Sequence, residues 1–140
     1  MTENPKAASE PGVSEPGADA PATGAPTSTT INAVQQAPAA DRNRSSPVAQ
    51  RLVQADGGNI IVFTFAPGQS MPEHQAAHPI TVQCLSGSLD FTVEGKAVSM
   101  DPGVVIHLAA RVPHDVACPV NATEDSVLLL TMLTGETVGE

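Results

Sequence analysis

The sequence predicts a small all-β domain of barrel or sandwich type behind a long polar extension. Three observations carry that prediction. From Pro47 onward, short apolar stretches alternate with turn residues at regular spacing. Several stretches show the period-two alternation of half-buried strands, and no window of helical period is long enough to compete. The first 46 residues, by contrast, are built from Pro, Ala, Gly, Ser, Thr and acidic residues.

In chain order, residues 1–46 come first. Their sizeable apolar side chains are Met1, Val13, Ile31 and Val34, too few to offset the entropy of ordering the backbone. Prolines recur from Pro5 to Pro38 without a convincing PxxP ligand. The segment reads as a disordered, flexible tail, with a docking segment that folds on a partner as the alternative. Residues 47–134 are then the folded domain, and residues 135–140 a flexible C-terminus. The domain is long enough to bury one modest core. Its aromatics are Phe63, Phe65 and Phe91, so that core has to be aliphatic.

Within the domain, Val48 to Gln54 leads into Asp56-Gly57-Gly58-Asn59, a hairpin signal. Asn59 to Phe65 follows, with Ile61, Phe63 and Phe65 on one face, and Ala66-Pro67-Gly68-Gln69 ends it. Pro79 to Leu85, a turn at Ser86-Gly87-Ser88, and Leu89 to Val93 come next. Glu94-Gly95 turns the chain into Ala97 to Met100, and Asp101-Pro102-Gly103 turns it into Val104 to Leu108. Pro113 to Cys118 and Ser126 to Leu133 complete a set of eight or nine strands. Closing them into a barrel removes exposed edges that invite aggregation.

Charge narrows the function. The formal net charge is −9, and from Pro47 onward three cations (Arg51, Lys96, Arg111) face ten anions. A surface of about −7 repels phosphate backbones, so nucleic acid and anionic membranes are not expected as direct partners. Cys84 and Cys118 sit among apolar residues and do not form a disulfide framework. With no secretory hydrophobic region or long apolar run, the expected location is the cytosol.

All four histidines lie between positions 74 and 114. His74 follows Gly68 by six residues, and His114 follows Gly103 by eleven within Arg111-Val112-Pro113-His114. This pattern resembles the cupin superfamily of small jelly-roll barrels. Their first motif, G-x5-H-x-H-x3-E-x6-G, runs here from Gly68 through His74 to Gly87. Their second, G-x5-P-x-G-x2-H-x3-N, begins at Gly103 and places its histidine on His114. The resemblance covers roughly Pro47 to Leu133 and implies a single antiparallel jelly-roll barrel.

It also implies a metal site, which this chain keeps only in part. The second histidine of the first motif falls on Ala76 and its glutamate on Ile80. In the second motif, the proline, glycine and asparagine fall on Ala109, Arg111 and Cys118. His74 and His114 remain, and two imidazoles do not make the three- or four-ligand sites that hold Zn, Fe or Mn firmly. His78 is the candidate third ligand. Four residues of extended chain span about 13 Å, so it would join them only if the chain bends near His78-Pro79. His107 reads as a partly exposed or hydrogen-bonded histidine. Cys118 shares the strand parity of His114.

Three functions follow as expectations. The first is a barrel that binds a small molecule, and with it a divalent metal (Mn, Fe, Ni or Zn), in an apolar pocket lined by Val82, Cys84, Phe91, Cys118 and the histidines. The second, implied by the resemblance, is a metal-dependent enzyme of dioxygenase, isomerase or decarboxylase class, with the ion held by His74, His114 and His78. The third is an oligomeric interaction module, a homodimer in the simplest case. No nucleophile elbow, phosphate-cradling loop, Cys-x-x-Cys pair or dinucleotide fingerprint points elsewhere.

Overall fold

The computed structural model describes residues 27–135. Most of the predicted tail, residues 1–26, and all but Gly135 of the predicted C-terminal extension lie outside them. The chain divides into two units, Met1–Ile31 and Asn32–Glu140. In the first, residues 27–31 are described and carry neither helix nor strand. All that follows concerns the second unit.

That unit begins at Asn32, whereas the sequence places the start of the folded domain at Pro47. Composition gives no sign of the added stretch because main-chain carbonyls hold it. The buried side chain of Gln69 donates to the carbonyls of Asp41 at 2.7 Å and Arg44 at 3.0 Å. Ser70 N–H donates to Ser45 O at 3.1 Å.

Nine strands follow: β1 (Val48–Ala55), β2 (Gly58–Phe65), β3 (Ser70–His74), β4 (Ile80–Ser86), β5 (Leu89–Val93), β6 (Lys96–Met100), β7 (Val105–Leu108), β8 (His114–Ala117) and β9 (Ser126–Leu133). There is no helix among the described residues. Turn chemistry matches the residues at the tips. Val93 pairs with Lys96, and the two residues between them, Glu94 and Gly95, sit at φ 51° and 80°. Positive φ at both central positions is what a two-residue type I′ hairpin requires. The β1–β2 hairpin turns on Asp56-Gly57, with Ala55 opposite Gly58.

The strands form two sheets, ordered β1-β2-β9-β4-β7 and β3-β8-β5-β6, and the pairings in both are antiparallel. Alternation then decides what is inside. Phe65, Ile80, Val82, Cys84, Leu128 and Leu130 of the first sheet meet Leu89, Phe91, Met100 and Val116 of the second, with Cys118 just past β8, in one packed cluster. Ile61, Phe63 and Met132 pack against it. This is the all-β jelly-roll arrangement the sequence predicts, with the aliphatic core its composition requires. No helix among the described residues is long and apolar enough to cross a membrane.

β3 is the strand that alternation does not reveal. It contains Pro72 and the exposed Glu73 and His74. Proline is tolerated because β3 ends its sheet and pairs with β8 alone. Its place in the fold fixes the site.

Candidate functional site

His74 closes β3 and His114 opens β8, and the two are direct cross-strand partners. Opposed residues project to the same face of a sheet, so the rings meet. Their centroids lie 4.4 Å apart with the planes at 61°, edge to face. On the next strand, β5, Val93 is opposite His114 and Phe91 is its diagonal neighbour. The Phe91 ring stacks on His114 at 5.4 Å and 9°. His114, 3% exposed, is therefore sandwiched between a phenyl ring inside the barrel and the exposed His74 imidazole at its rim.

Both imidazoles are fixed by the same local device. His74 Nδ1–H donates to Pro72 O and His114 Nδ1–H donates to Val112 O, each at 2.9 Å and each two residues back in the chain. A carbonyl only accepts, so each neutral ring carries its proton on Nδ1 and keeps a lone pair on Nε2. Among the described residues, Thr64 Oγ1 is the buried side-chain polar atom without a hydrogen-bond partner. Among the described residues, His114 Nε2 has no hydrogen-bond partner. Burial disfavours the imidazolium and, with His74 beside it, lowers the pKa of His114; the Val112 carbonyl and Asp115 oppose this in part. Each ring thus keeps an acceptor nitrogen, and burial leaves little welcome for a positive charge on the inner one.

The positions where the resemblance places further ligands are apolar or turned to other work. Ala76 is half-buried against the core and Ile80 is 1% exposed. Cys118 is buried, with Sγ 3.6 Å from Ser126 Oγ. At Arg111, where the motif has glycine, the backbone still takes φ 66°, and the Arg111 N–H donates to Ala76 O at 2.8 Å. The loop thus keeps a shape that favours glycine although the residue has changed.

His78 is half-buried on the bend after β3. Among the described residues, no three or more His, Cys, Asp or Glu side chains are grouped to hold a metal ion. A resident ion with three protein ligands does not fit this donor set. His107 is exposed on β7 opposite Thr81, on the outer face of the first sheet.

The residues expected to line an apolar pocket lie in the packed core. Val82, Cys84, Phe91 and Cys118 are 0–2% exposed and belong to one cluster. Of these, Phe91 touches the histidine pair. Burial pushes the Cys84 thiol up in pKa, and its Sγ donates to Ser86 O at 3.4 Å, so it is an inert core group. A hollow of about 310 Å³ opens instead on the outside, lined by Arg42, Arg44, Ala66, Pro67, Gly68 and Gln69.

Sequence reasoning passes over two buried polar residues, Gln69 and Ser126. Ser126 Oγ donates to Ser88 O at 2.9 Å and accepts from Ser88 N–H at 3.0 Å, tying β9 to the β4–β5 turn. Neither residue carries a spacing or periodicity that marks it in advance.

Residues 61–132 match the cupin domain. No curated protein matches the chain. Among solved structures, an RmlC-like cupin protein from Desulfovibrio desulfuricans is 21% identical, with TM-score 0.64 over 76% of this chain and 97% of its own. A cupin superfamily protein from Desulfitobacterium hafniense is 23% identical, with TM-score 0.55 over 63% and 77%. The DMSP lyase DddQ from Ruegeria pomeroyi is 17% identical, with TM-score 0.58 over 67% and 50%. At these identities the likeness is one of fold.

Proposed function

The chain belongs to the cupin domain family, and from that premise we propose that it binds a small molecule at the rim of the barrel through the paired imidazoles of His74 and His114. One observation carries the reading. The ring centroids are 4.4 Å apart with both Nδ1 atoms committed to backbone carbonyls, which leaves one Nε2 acceptor on each of two touching rings. A ligand that donates two hydrogen bonds, such as a neutral polyol or an organic ammonium or guanidinium compound, meets both acceptors without charging the inner ring. The acidic domain favours the same ligands over carboxylates and phosphates. Half-buried Ala76, Val93 and Val112 give the surroundings an apolar character.

A second reading, a metal-dependent enzyme, has one observation in its favour. Imidazoles that ligate metals commonly donate their other N–H to a backbone carbonyl, as both rings do here. Two donors hold an ion weakly, so this reading requires ligands from the substrate.

The test uses the full chain. Metal per chain is measured after supplying Mn, Fe, Ni and Zn in turn, and melting is followed with polyol, amine, guanidinium and carboxylate panels under chelation. The binding reading expects substoichiometric metal and a melting rise with donor ligands, worth about 2.7 kcal/mol at a hundred times Kd. That rise disappears in His74→Ala and His114→Ala. Near-stoichiometric metal lost in both variants would replace it with the enzyme reading.

A further inference from the structure

The segment Asn32–Ser46 is joined to the barrel through Gln69, and that junction leads to the site. The side chain of Gln69, 3% exposed, uses both ends of its carboxamide. Oε1 accepts from Ala66 N–H at 2.7 Å, holding the turn after β2. Nε2 donates to Asp41 O at 2.7 Å and Arg44 O at 3.0 Å, holding the N-terminal segment. The main chain extends the junction in two directions. Ser70 N–H, at the head of β3, donates to Ser45 O at 3.1 Å. Cys118 N–H, just past β8, donates to Gln69 O at 2.9 Å, and Gly68 N–H donates to Cys118 O at 2.9 Å. Arg42 and Asp125 pair outside this knot at 2.6 Å.

The two strands tied here are the ones that carry His74 and His114. β3 has little else to fix it: it ends its sheet, and its pairing with β8 is irregular between Met71 and His74. We infer that Gln69 is a positioning residue, whose carboxamide clamps residues 41–45 onto the head of β3 and so sets the contact between the His74 and His114 rings. The N-terminal segment is by this account part of the site's scaffold. The inference concerns the site proposed above but rests on ring geometry alone, so it can fail while ligand binding stands, and the reverse.

Gln69→Glu is the discriminating variant in the full chain, studied at pH 8. It keeps an oxygen acceptor for Ala66 N–H and replaces both donors to Asp41 and Arg44 with a carboxylate facing two carbonyls. Hydrogen exchange at the Ser70 amide and trypsin cleavage after Arg42 and Arg44 report release of the segment. Imidazole nitrogen shifts and the ring-to-ring nuclear Overhauser effect report the histidine pair. The expected result is at least tenfold faster exchange at Ser70, faster cleavage, and loss of the ring-to-ring signal, with β2–β9 amides unchanged. Arg42→Ala, which leaves the barrel turn intact, should move Ser70 exchange, cleavage after Arg44 and the ring signals in the same direction by a smaller factor, and it carries the test if Gln69→Glu does not fold. Release of the segment with the ring signals unchanged overturns the inference. So does a Gln69→Glu chain in which the segment stays protected.

Discussion

His114 has a phenyl ring on one side and an imidazole on the other, and that packing has a measurable consequence. Its pKa in the folded chain lies below the ordinary value of 6.5, chiefly because burial disfavours the cation. The unfolded chain therefore takes up this proton first as pH falls. The stability contributed by keeping the ring neutral is complete above about pH 6.5 and is lost as pH drops from there through the folded value. The melting temperature should hold steady from pH 8 to 7 and decline below pH 6.5, and His114→Leu should flatten that part of the profile. An unchanged slope in the variant would assign the decline to carboxylates instead. A second side chain invites the opposite kind of change. Thr64 Oγ1 is buried with no partner. Thr64→Val keeps the shape and removes the unsatisfied hydroxyl, so it should raise stability by about 1 kcal/mol, a few degrees in melting temperature. A loss of stability on calorimetry would mean that the hydroxyl is satisfied in solution. At this scale the sequence is legible where family spacing marks a position, as at His74 and His114. It is silent where a residue acts through geometry, as Gln69 does.

Between β4 and β5, Gly87 shows how an element boundary depends on one missing methyl group. It sits at φ 77°, and a Cβ there would lie 2.8 Å from Asp125 O and against Ser126 Oγ. Ser126 cannot yield without breaking its two bonds to Ser88. Gly87→Ala should therefore cost about 3 kcal/mol or more, read as a lowered denaturant midpoint, with the start of β9 most disturbed. A cost under about 1 kcal/mol would show that β9 is free to shift. Strands packed on the core announce themselves by alternation, as β2 does with Ile61, Phe63 and Phe65. β3 does not, because an edge strand with one partner accepts Pro72 and exposed polar residues without penalty. The stretch from Asn32 to Ser46 is hidden for another reason. Apart from the Arg42–Asp125 pair, the hydrogen bonds that hold it are made to carbonyl oxygens, which every residue has.

For the molecule as a whole, turn residues and apolar periodicity suffice to name a β-barrel, and the spacing of Gly68, His74, Gly87, Gly103 and His114 suffices to name its family. The site is less legible because its character lies in what replaced the missing ligands. Ala76 and Ile80 show where donors have gone, but only coordinates show that the remaining rings touch and that Val82, Cys84 and Cys118 are packed solid. The register that sets His74 opposite His114 has a wider implication. One ring is anchored in the middle of a sheet and the other rides on its outermost strand, so fraying at that margin separates them while the interior stays intact. The contact between the two rings and the integrity of the barrel are thus held at different free energies, and the pair can part and rejoin without the rest of the domain coming apart.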